Sequence, residues 1–187
     1  QARAKTDCPH VAPNDITYNS VISAFAHRGG VEVAQMLLDE MIEAASSGNE
    51  QIAPDTISYG TVLNAYSKWR DPRSSEQALK LLEKMEAEYK GGNARVKPNT
   101  VAYTCTIMSL AHSKSPEAPI KVEALLKHMQ DAYDQVDAGV RPHSYTLGPV
   151  LHVWVSSRDP LAPARSASLL KWGESAYDAV NRQLTPR

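Results

Sequence analysis

The sequence predicts an all-α solenoid of four helix–turn–helix repeats of about 44 residues each. Three observations carry that prediction. Pro54, Pro98, Pro142 and Pro186 follow one another at 44-residue intervals, and Pro13 precedes the first by 41. Whole segments return with the prolines: "NDITYNSVISAF", "DTISYGTVLNAY" and "NTVAYTCTIMSL". Tyr18, Tyr59 and Tyr103 each lie 5 residues past their proline, and Met41, Met85 and Met129 each lie 13 before the next. A register this regular belongs to stacked modules, each burying its apolar face against its neighbours.

Each unit divides into two helices. The first opens on Asn14, Asp55 or Asn99, whose side chains suit the free amides of a first helical turn. Apolar residues then recur at helical spacing, as in Tyr18, Val21, Ile22 and Phe25, or Tyr59, Val62, Leu63 and Tyr66. Ala24 and Ala65 are expected at close helix approaches. The second helix carries Ala34, Leu37, Leu38 and Met41, repeated as Ala78, Leu81, Leu82 and Met85 and as Val122, Leu125, Leu126 and Met129. Spacing i, i+3, i+4, i+7 puts such a quartet on one face, which is a core stripe. The fourth unit keeps Leu169 and Leu170 but has Ser166 and Gly173 at the ends of the stripe. Pro72, Pro116, Pro160 and Pro163 read as breakers between the helices, and Gly48–Asn49 and Gly92–Asn93 as helix stops with a turn. The expectation is eight helices in four antiparallel pairs, with no strands.

The units are read as 13–53, 54–97, 98–141 and 142–187, with 1–12 the end of a preceding repeat or a linker. The chain opens on Gln1 and closes one residue past Pro186, the pattern expected of a piece of a longer array whose targeting segment lies elsewhere. Of 187 residues, 42% are hydrophobic and 22% charged, a globular composition in which no apolar run approaches the roughly 20 residues of a bilayer span. Cys8 and Cys105 form no metal spacing, the six histidines no ligand cluster, and no nucleophile or phosphate-loop motif occurs. The expectation is a monomeric, non-membrane, non-enzymatic segment without metal or cofactor.

Period alone also fits HEAT and armadillo arrays. The residue pattern is more specific: proline with Asp or Asn after it, tyrosine four residues further, a polar residue next, and a second helix ending in "A..LL..M". It resembles the pentatricopeptide repeat family, best in "PNDITYNSVISAFAHRGGVEVAQMLLDEM" and "PDTISYGTVLNAYSKW". The fourth unit departs from the family pattern at Leu147, where the tyrosine belongs, and at Gly173, where the methionine belongs.

The resemblance implies a right-handed superhelix that binds single-stranded RNA, one base per repeat, in a mitochondrion or plastid. It also assigns roles to this chain's residues. Ile16, Ile57, Val101 and Tyr145 take the slot that sandwiches bases. The residue after the tyrosine and the residue after the following proline read the base edge. These pairs are Asn19 with Asp55, Gly60 with Asn99, Thr104 with His143, and Gly148 with Arg187. The first pair resembles the combination that favours uridine; glycine brings no side chain to a base. His27, Lys68 and His112 take the slot that contacts phosphate.

Net charge is only −1, yet its distribution suits a polyanion. The spans Ile16–Arg28, Thr56–Arg70, Thr100–Ser115 and His143–Arg158 hold Arg28, Lys68, Arg70, Lys114 and Arg158 and no acidic residue. The other 15 basic residues and all 21 acidic ones fall in second helices and linkers, leaving −6 there. The first helices should therefore build the positive face. Tyr18, Tyr59 and Tyr103 are expected in the core rather than against bases, and Trp69, Trp154 and Trp172 between helices. A protein-interaction scaffold stays open beside RNA binding, because a concave solenoid face also suits peptides.

Overall fold

A computed structural model of the chain describes residues 12–134 and 138–184. Cys8, Pro186 and Arg187, and nearly all of the expected leading segment 1–12, lie outside them. Among the described residues there are eight α-helices and no strand. They are α1 (Asp15–His27), α2 (Val31–Ser46), α3 (Thr56–Lys68), α4 (Ser74–Lys90), α5 (Thr100–His112), α6 (Ala118–Asp134), α7 (Ser144–Ser156) and α8 (Ala162–Leu184).

The caps form where the sequence places them. Asn14 Oδ1 accepts the Thr17 amide at 3.0 Å. Asp55 Oδ1 accepts those of Ile57 and Ser58 at 3.0 and 2.8 Å, and Asn99 Oδ1 that of Ala102 at 3.0 Å. These bonds satisfy donors that a helix start leaves free. After the second helices, Gly48 and Gly92 adopt φ of 90° and 101°, a region a side chain disfavours. The chain then makes short 3₁₀ turns at Glu50–Ile52, Ala94–Val96 and Ala138–Val140. Each turn drives one aliphatic residue inward: Ile52, Val96 and Val140 are all buried. Their polar surroundings in sequence gave no sign of these three anchors.

Packing follows one rule along the chain. Each first helix packs on its own second helix, and α1, α3, α5 and α7 pack successively on one another. Each of α2, α4 and α6 also packs on the next first helix, whereas among the described residues successive second helices meet through long side chains, Glu86 with His128 and Glu123 with Arg165, rather than by close backbone packing. A row in continuous contact beside a row held apart bends the array, with the contacting row inside. The core lies between the rows in two clusters joined at Leu125. Ala34, Leu38, Met41, Ala78, Leu81, Leu82, Met85, Val122, Leu126 and Met129 are buried in it, as the stripe requires.

Tyr59 and Tyr103 are buried, and Tyr18 is half-buried. Their hydroxyls donate to second-helix carboxylates: Tyr18 to Glu40 at 2.8 Å, Tyr59 to Glu88 at 2.6 Å and Tyr103 to Glu86 at 2.6 Å. Trp154 is buried; Trp69 and Trp172 pack on the core's edge. Cys105 sits inside α5, where burial pushes its thiol up and keeps it protonated.

Four local expectations are corrected. Ala24 is exposed, so only Ala65 serves a close approach. Val21 and Phe25 stay 40% and 41% exposed, because nothing among the described residues packs on the outer flank of α1. Leu170 is 51% exposed, since only the Leu169 side of α8 faces the core. Pro163 lies within the first turn of α8 rather than in a break, a place where a missing N–H costs nothing.

Candidate nucleic-acid interface

The row of first helices presents a repeating set of side chains. Ile16, Ile57, Val101 and Tyr145 hold the same position near the start of α1, α3, α5 and α7. They are 68%, 64%, 54% and 79% exposed, although large and apolar. In α3 and α5, which have helices packed on their other sides, such residues stay out along the surface the stack does not bury. Tyr145 also meets the His143 ring edge-on at 5.7 Å.

Beside this row lie the pairs that span two units. Asn19 Nδ2 donates to Asp55 Oδ1 at 3.3 Å across 36 residues of sequence, and both side chains are half-buried. The Ser58 hydroxyl completes the junction, 2.7 Å from Asn19 Oδ1 and 2.9 Å from Asp55 Oδ1. At the next junction Gly60 brings no side chain to Asn99, and a Cβ built there meets no atom within 4 Å. The Asn99 carbonyl is taken by its own helix cap. At the third, Thr104 is only 8% exposed and its hydroxyl lies 2.9 Å from that of Thr146. Thr146 Oγ1 in turn lies 3.2 Å from Nδ1 of the exposed His143. Thr104 therefore meets His143 through a hydroxyl relay, with no bond of its own to the ring. Gly148 is exposed, while its partner Arg187 lies outside the described residues.

His27, Lys68 and His112 are all exposed at the far end of the first helices. His27 Nδ1 lies 2.7 Å from the Ser23 carbonyl, and His112 Nδ1 lies 3.0 Å from the Ser67 carbonyl. A carbonyl only accepts, so each Nδ1 carries the proton, and the neutral ring offers Nε2 as an acceptor alone. Facing a phosphate, either histidine can donate through Nε2 only as imidazolium. Lys68 is the member of this row that is cationic without that condition.

Basic charge continues along the turns after α3, α5 and α7, where Arg70, Lys114 and Arg158 repeat every 44 residues beside a groove of about 1230 Å³. Asp71 and Asp159 also line it. Arg73 bonds to Asp71 at 3.0 Å, holding that carboxyl below its ordinary range and offsetting its charge. One acidic residue does stand on a first helix: Asp15 opens α1, paired with Arg95 Nη2 at 2.9 Å. Among the described residues, no three His, Cys, Asp or Glu side chains converge as metal ligands, and no helix is long and apolar enough to cross a membrane.

Paired helices stacked around a continuous inner row, with apolar and polar side chains recurring on it, define a helical-repeat solenoid. Models of the PPR repeat match residues 10–42, over α1 and most of α2, and residues 57–88, over α3 and most of α4. The first two units are pentatricopeptide repeats, which belong to a helical-repeat family that generally binds RNA. No curated protein matches it closely enough to add more.

Proposed function

We propose that this chain binds single-stranded RNA along its row of first helices, one base per junction, in the processing, stability or translation of an organelle transcript. The observation that carries the proposal is the exposed row Ile16, Ile57, Val101 and Tyr145. Apolar side chains recurring once per repeat offer van der Waals contact to base faces, one base for each repeat, with Tyr145 also able to stack. The polar pairs beside them contact base edges: Asn19 with Asp55 at the first junction, and Thr104 with His143 at the third. Gly60 with Asn99 discriminates poorly, because glycine brings no hydrogen-bonding group. Lys68 binds a phosphate, joined by His27 and His112 when they are protonated.

The first junction selects uridine. Once Asn19 has given one N–H to Asp55, it keeps an amide donor and an acceptor lone pair side by side. Those groups complement the adjacent carbonyl and N3–H of a uracil edge. The test is selection from a randomised single-stranded RNA pool over a salt series, beside an Asn19→Ala/Asp55→Ala variant. Uridine enriched at one position in the native chain, and lost in the variant, is the expected result. No binding even at low salt ends this reading. It would favour a second one, an extended peptide on the same exposed apolar row, which apolar substitutions there would disrupt.

A further inference from the structure

Resting on that reading of the first junction, we infer that Ser58 is a positioning residue: its buried hydroxyl fixes the Asn19 amide in the one orientation that separates uracil from cytosine. Thr146 holds the same place at the third junction.

An amide is nearly symmetric in shape, so a reader asparagine selects a base only if something fixes which end is oxygen. Asp55 contributes, since a carboxylate accepts and must face Nδ2, but that bond is long at 3.3 Å. The short contact is on the other side, where Ser58 Oγ lies 2.7 Å from Asn19 Oδ1. The hydroxyl is itself oriented. Its oxygen accepts the Asp55 amide at 3.1 Å, which directs its proton toward Asn19 Oδ1 and Asp55 Oδ1. Ser58 is 0% exposed, so water does not compete for that proton. Flipping the amide would set oxygen against carboxylate and would leave the hydroxyl without its acceptor in Asn19.

The consequence is a choice between pyrimidines. Uracil presents N3–H beside the O4 acceptor; cytosine presents an N3 acceptor beside the N4 amino donor. The two edges are mirror patterns of donor and acceptor. An amide locked in one orientation fits one of them, and an amide free to flip fits both.

The other junctions vary as this role requires. At the third, where the reader is a threonine, the corresponding hydroxyl is present: Thr146 is 0% exposed and lies 2.9 Å from Thr104 Oγ1. At the second, where the reader is Gly60, the corresponding residue is Ala102, also 0% exposed and without a hydroxyl. A buried hydroxyl serving only as part of a helix cap has no reason to follow the identity of a residue in the preceding unit.

The experiment measures binding of the whole chain to short single-stranded RNAs that differ only in U, C, A or G at the position Asn19 reads. In Ser58→Ala the preference for U over C should fall roughly two- to tenfold, the worth of one neutral hydrogen bond. Preference for pyrimidine over purine and the salt dependence should stay as they were. Ser58→Thr, which keeps the hydroxyl, should restore the U-over-C preference. If Ser58→Ala keeps that preference while Asn19→Ala loses it, the positioning role is wrong and base reading stands. If Asn19→Ala does not alter base preference, the reading itself fails and takes the positioning role with it. Should Ser58→Ala not fold, as thermal melting would reveal, the empty second junction gives an independent arm. A Cβ at Gly60 meets open space, and Gly60→Asn/Ala102→Ser should discriminate more sharply between U and C at that position than Gly60→Asn alone. Equal preferences in those two variants overturn the inference.

Discussion

Leu147 of α7 fills the space that a side chain at position 173 of α8 would occupy: a Cβ built on Gly173 collides with Leu147 Cδ2. These are two of the places where the fourth unit departs from the others, with leucine for tyrosine and glycine for methionine. The two positions meet across the helix pair. Leucine sits against the partner helix where glycine leaves room, so the helix pair closes without the larger residues.

Gly173→Met should therefore destabilise the chain by up to about 1 kcal/mol, since the atom in the way is the movable tip of Leu147 and methionine's better helix propensity offsets part of the overpacking. Leu147→Ala in the same background should recover part of that loss. A double-mutant cycle by urea unfolding measures the coupling. Additive effects, or a stabilising Gly173→Met, would show that the two departures are independent.

Asp55 has a structural duty beside its proposed contact with a base. Its Oδ1 accepts the Ile57 and Ser58 amides, so Asp55→Ala should cost about 0.5–2 kcal/mol without any RNA present. Asn14→Ala removes the equivalent cap of α1 and should cost a similar amount. Asp55→Asn, which keeps an acceptor, should lose little. Thermal melting separates the three, and base preference should change in the Asp55 variants while Asn14→Ala leaves it intact.

Core and surface methionines should differ sharply. Met85 is 0% exposed, and Met85→Ala should cost about 2–5 kcal/mol. Met36 projects from α2 at 68% exposure, and Met36→Ala should stay within about 0.5 kcal/mol. Comparable losses in urea melts would mean that the face of α2 carrying Met36 is packed in solution.

Alkaline pH should unfold the array through its tyrosines. Burial pushes the Tyr66 phenol up to about 12. Burial and the bond to Glu88 carry Tyr59 well above its ordinary value of 10.0. Unfolded tyrosines lose their protons near 10, so between there and 12 the native state binds more protons and stability falls as pH rises. Melting temperature should be level up to about pH 9.5 and then decline. Tyr66→Phe should decline less steeply over that interval than the native chain; an identical slope would remove Tyr66 from the account.

Lys68→Glu should weaken RNA binding and lower the slope of log affinity against log salt by about 0.7, the contribution of one single-strand phosphate contact. Lys80→Glu, on the outer helix α4, is the control and should change neither. Equal losses from the two would mean that binding follows net charge rather than the inner row.

Architecture was legible in the sequence because it rests on local rules applied many times. The prolines, the capping Asn and Asp residues and the 3.6-residue stripe each act within one unit, and the repeat multiplies a weak signal into a strong one. Tertiary structure decided whatever depends on a neighbour. The buried anchors Ile52, Val96 and Val140 come inward through 3₁₀ turns whose polar composition hides them. Val21 and Phe25 share a periodicity with the buried Val62 and Tyr66, but one pair has a helix packed over it and the other does not. The candidate site shows the same division. Asn19 and Asp55 can be matched by position along the chain, whereas the hydroxyl between them belongs to Ser58, which on its own reads as the third residue of a capping box. Only the docking of one unit on the next turns that helix cap into a contact with the preceding unit's reader, because hydrogen bonds across 39 residues of sequence are set by packing rather than by spacing.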